Sequence, residues 1–74
     1  MIRAKFQVTH THPHYYGGKT VRLVAIYDPK IPESQQFAEV TPAGNTEMIV
    51  TNSVILEQCE VGQSFYVDFT LAED

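Results

Sequence analysis

Hydrophobic residues in this chain recur at every second position and almost nowhere on a helical period. Ala4, Phe6 and Val8 alternate with Arg3, Lys5, Gln7 and Thr9. Val21, Leu23, Ala25 and Tyr27 alternate with Thr20, Arg22, Val24 and Ile26, and Phe65, Val67 and Phe69 alternate with Tyr66, Asp68 and Thr70. Successive side chains of a strand point to opposite faces, so this spacing predicts a sheet with one packed face and one partly wet face.

Residues 2–9 read as the first strand. The stretch His10–Gly18 is expected to be a loop, because Pro13 cannot donate to a ladder and Gly17-Gly18 suits a tight reversal. Lys19–Tyr27 is the second strand, and the apolar Val24 and Ile26 on its other face predict a central position in the sheet. Pro29 and Pro32 stiffen an excursion over 28–33. Gln35–Val40 is expected as a short strand and Thr41–Asn45 as a turn. Thr46–Thr51 is a third main strand, with Thr46, Met48 and Val50 on one face and Glu47 and Ile49 on the other. Asn52 or Ser53 then caps a short helix near residues 53–60, which stops by Gly62. Gln63–Leu71 is the last strand. The expectation is mainly β (α+β): one small domain over 1–74, a twisted antiparallel sheet or partly open barrel of four to five strands with one short helix.

Size changes the picture. About fifteen large side chains face the core by this pattern, each worth roughly 1.5–3 kcal/mol when buried. The conformational entropy lost in ordering 74 residues opposes that gain, so the chain is marginal alone. A chain so short often draws stability from disulfides, metal or association. Cys59 is the only cysteine, so no disulfide forms within the chain and nothing signals an oxidising compartment. Self-association or docking on a partner is the expected remedy. The start, Met1 to Phe6, has two basic residues but no apolar region of a secretion signal, and no apolar run is long enough to span a membrane. A soluble intracellular protein is expected.

Charge adds a second constraint. Five basic and nine acidic residues give a formal net charge of −4, which disfavours nucleic acid as a partner. The distribution is uneven, however. Arg3, Lys5, Lys19 and Arg22 precede every acidic residue, leaving room for one basic patch on the first hairpin. Tyr15 and Tyr16 beside Lys19 and Arg22 supply rings for stacking and cations for a backbone, the needs of a single-stranded nucleic-acid site. The same exposed tyrosines suit protein contact equally well.

His10, His12 and His14 are spaced to project to one side of an extended chain, so a divalent metal is a candidate there. Pro13 and the following reversal pull His14 off that line, and no fourth ligand is obvious. Cys59 lies between Glu57 and Glu60, which favours a buried structural thiol over a nucleophile. No phosphate loop, paired-carboxylate or Ser–His–Asp arrangement can be drawn, so an enzyme is not expected and no cofactor is implied.

Three stretches, Lys19–Asp28 (KTVRLVAIYD), Phe37–Met48 (FAEVTPAGNTEM) and Val61–Phe69 (VGQSFYVDF), resemble an uncharacterised family of small tailed-bacteriophage proteins. The resemblance spans roughly residues 2–70 and rests on strand and turn patterns. It implies a phage origin, a place in the host cytoplasm or the virion, and action by binding. The leading expectation is a non-enzymatic accessory protein that binds protein: itself, a virion component or a host factor. The alternative is a small barrel that binds single-stranded nucleic acid or nucleotide.

Overall fold

A computed structural model describes residues 1–37 and 43–73. Four strands make up the sheet: β1 (Ile2–Pro13), β2 (Lys19–Ile26), β3 (Asn45–Val50) and β4 (Ser64–Phe69). Every neighbouring pair is antiparallel, in the order β3-β2-β1-β4, and the sheet curls into a half-barrel. The mainly β expectation therefore holds, with β1 and β2 in the interior and β3 and β4 at the two edges of the sheet among the described residues.

β1 runs four residues beyond its expected end, which shortens the expected loop to His14–Gly18. A bulge explains the extension. Val8 pairs with Leu23 and His10 with Arg22, so Thr9 is an extra residue without a partner. An unbroken alternation would send His10 inward after Val8. The bulge resets the phase, puts His10 and His12 outside and Thr11 inside, and lets the ladder continue to Pro13. Proline at the last position costs no internal ladder bond.

The alternating apolar positions meet on the concave face. Ala4, Phe6, Val8, Val21, Leu23, Val50 and Cys59 form the buried cluster, with Ala25, Leu56, Phe65 and Val67 packed against it. Register explains the grouping, since Phe6 lies opposite both Ala25 and Phe65, and Val21 opposite Met48. Val24 and Ile26, on the other face, are half-buried.

Two expectations are corrected. The helix near 53–60 is reduced to a single 3-10 turn, Leu56–Gln58. Asn52 does open a turn, its side chain accepting from the Val54 amide at 3.1 Å, but the β-branched Val54 and Ile55 do not propagate it. Only Leu56 and Cys59 from this segment reach the core cluster, too narrow an apolar stripe to hold so short a helix. The strand expected over Gln35–Val40 also fails where it can be seen. Gln35 ends a second 3-10 turn, Glu33–Gln35, and Gln36 and Phe37 join no ladder. Residues 38–42, including the rest of that strand and part of the expected turn, lie outside the described residues.

The excursion after β2 is pinned to the outer face. Asp28 closes a turn by accepting from the Lys30 amide at 2.9 Å, and its other oxygen accepts from the Tyr66 hydroxyl. Ile31 is buried apart from the main cluster.

Candidate docking surface

The residues expected to form one binding site are split between two faces and a tip. Tyr15 and Tyr16 occupy the β1–β2 turn, where the Gly17 amide donates to the His14 carbonyl at 3.1 Å. Tyr15 is fully exposed, and the Tyr16 ring stacks on His14 with centroids 5.1 Å apart. Lys19 and Arg22 stand three residues apart on β2 and so leave it on opposite faces. Arg22 is on the outer face opposite Glu47, while Lys19 reaches the Glu60 carboxylate at 3.6 Å. They do not make a common platform.

The basic patch is neutralised by carboxylates from later in the chain. Arg3 forks onto Asp68 with bonds of 2.7 and 3.0 Å, and Arg22 onto Glu47 at 2.8 and 3.3 Å. Lys5 lies 3.8 Å from buried Asp28. Each of the four basic residues that looked free in the first 22 positions thus faces an acid. Tyr66 knits this face together, with Arg3 and Lys5 5.5 and 5.8 Å from its ring centre.

Ionisation follows from these contacts. The Tyr66 hydroxyl and the Lys30 amide both stabilise the Asp28 carboxylate and hold its pKa below the usual range, against the opposing effect of burial. The Arg3 fork lowers Asp68 in the same way, and Asp68 in turn raises Arg3. Tyr66 is raised because its proton is shared with a carboxylate.

The three histidines do not converge. His10 and His12 lie on the outer face of β1, and the His10 Nδ1 contacts the Thr9 hydroxyl at 3.0 Å. His14 has left the strand and its Nε2 contacts the Thr20 hydroxyl at 2.6 Å. Among the described residues no group of three His, Cys, Asp or Glu is arranged to hold a metal ion. Cys59 is buried in the core cluster, its thiol donating to the Ile55 carbonyl at 3.6 Å.

What reasoning from the sequence missed is the mouth of the half-barrel. Between the two edge strands lies an open trough of about 540 Å³, walled by Leu23, Met48, Val50, Ile55, Cys59 and Val67. Met48 on β3 is 47% exposed although the register turns it to the concave face. Phe69 on β4, opposite Ile2, is likewise half-exposed. Ile55, on the β3–β4 connection and also lining the trough, is 39% exposed. A signal was available. The alternation in β3 already sets Met48 beside Val50 on one face, on a strand that strand order puts at the sheet edge.

No family model, curated protein or solved structure matches the chain. No helix of the described residues is long and apolar enough to cross a membrane.

Proposed function

We propose that the chain is a non-enzymatic protein-binding module that works by covering the concave trough between β3 and β4. The observation that carries this reading is the trough itself: apolar walls, open to solvent, continuous with the core. An open apolar concavity edged by a half-exposed residue such as Met48 is the kind of surface that commonly marks an interaction site. Its lining is mostly apolar, which suits grip on an apolar partner surface. In the phage setting that the strand motifs suggest, the occupant is a virion component, a host factor or the chain itself. Nucleic acid is the weaker reading, because Arg3, Lys5, Lys19 and Arg22 each face an acid and Lys19 and Arg22 lie on opposite faces of the sheet.

A photo-reactive phenylalanine analogue at Met48 or Ile55, compared with one at His12 on the outer face, tests the assignment in cells that produce the protein. Adducts of defined mass are expected from the two trough positions and not from His12. No adduct from the trough, or equal yields from His12, overturns it.

A further inference from the structure

We infer that the occupant of the trough is a second copy of this chain, seated mouth to mouth so that two half-barrels close into one eight-stranded barrel. This rests on the docking reading above and names its partner.

The first argument is area. A compact monomer of 8.4 kDa is expected to expose about 4,600 Å². This chain exposes 5659 Å². The excess, about 1,000 Å², is spread over the whole chain, and a standard stable interface takes roughly 800 Å² from each partner. The shape agrees: the shortest dimension is 17 Å, against 41 and 33 Å for the others.

The second argument is edge complementarity, and it favours a second copy over an unrelated protein. β3 and β4 have six residues each. Because β3 runs with β1 and β4 with β2, the two rims are antiparallel to one another. A two-fold rotation about an axis along the strands preserves strand direction. It therefore sets β3 of one copy against β4 of the other, antiparallel, at both seams. Every ladder in the resulting ring is of the same kind as those already present.

Neither rim carries the features that normally deter pairing. Among their residues there is no proline and no lysine, and Glu47 and Asp68 are each held by an arginine of the adjacent strand. The count also fits, because eight strands enclose an interior just wide enough for side chains to fill. Met48, Phe69 and their neighbours are then core residues of the pair.

Sedimentation equilibrium over a dilution series tests the inference on the unmodified chain. A mass twice that of the chain is expected at micromolar concentration. Met48→Arg and Phe69→Arg place a charge in the mouth at half-exposed positions, which a single folded chain tolerates. Each is expected to weaken the dimer by at least about 30-fold, as loss of a central contact does. His12→Arg on the outer face is expected to leave it unchanged. Hydrogen exchange gives an answer without any substitution: amides of β3 and β4 should be as protected as those of β1 and β2 in the dimer, and less so on dilution.

A monomer at every concentration overturns the inference, as does a dimer indifferent to both arginine variants or one whose edge amides exchange freely. The two readings fail separately. A monomer whose trough positions still crosslink a different protein refutes the second copy and leaves docking intact, whereas trough positions that crosslink nothing refute docking itself.

Discussion

Leu23→Ala reports on whether the concave face is open in the single chain. Leu23 is 3% exposed, pairs with Val8 and Thr46, and also walls the trough. The substitution deletes three carbons, a transfer loss of about 2.4 kcal/mol at roughly 0.8 kcal/mol each. In a sealed core the empty space adds a cavity penalty, and the total for Leu→Ala reaches up to about 5 kcal/mol. Here the deleted volume opens onto the trough, so water refills it and the cavity penalty stays small. The expected loss is about 2.5 kcal/mol, out of a total of roughly 4–11 kcal/mol for a chain of this length. That corresponds to a fall in Tm of roughly 10–20 °C. Urea unfolding followed by circular dichroism, at concentrations dilute enough to hold the single chain, measures it. A loss above about 4 kcal/mol would refute the open trough, because only a closed cavity is so costly. A loss under about 1 kcal/mol would remove Leu23 from the core altogether.

Two further outcomes are expected. Asp28 and Asp68 titrate lower when folded, so their contribution to stability is complete above the ordinary carboxylate range and disappears as pH falls below about 4 and through their folded values. Asp28→Asn should flatten the acid limb of a stability–pH curve, and an unchanged limb counts against the Tyr66–Asp28 contact. At the Tyr16–Lys19 corner, Gly18→Ala would bring a methyl group 2.9 Å from the Val50 carbonyl oxygen, whereas Gly17→Ala meets no neighbour and strains only a positive φ. Thermal melts should therefore rank Gly18→Ala, at about 1–3 kcal/mol, below Gly17→Ala, at about 1 kcal/mol. The reverse order contradicts the packing of β2 on the end of β3.

Strand existence was legible because burial on one face forces a period of two, and Ala4, Phe6, Val8, Val21 and Leu23 all obey it. The Thr9 bulge was not legible, since one inserted residue changes the phase without changing composition. Its result is that His10–Pro13 is strand and not loop. The helix expectation failed where a capping residue, Asn52, was followed by β-branched residues that turned once and stopped. The supposed basic patch failed for a different reason: Arg3 and Asp68 are 65 residues apart, and only topology reveals that they are opposite one another. The trough is equally a product of strand order, which among the described residues places β3 and β4 at the two edges.

The pairing of Ile2 with Phe69 also bears on how the protein is made. β1 leaves the ribosome early and acquires β2 at once through a short turn, but its other flank stays bare until almost the entire sheet has emerged. Closing so large a loop costs entropy that is recovered only when β4 docks. During that interval the nascent chain displays an apolar central strand with one flank unpaired, and its yield in the cell will depend on how quickly translation delivers β4.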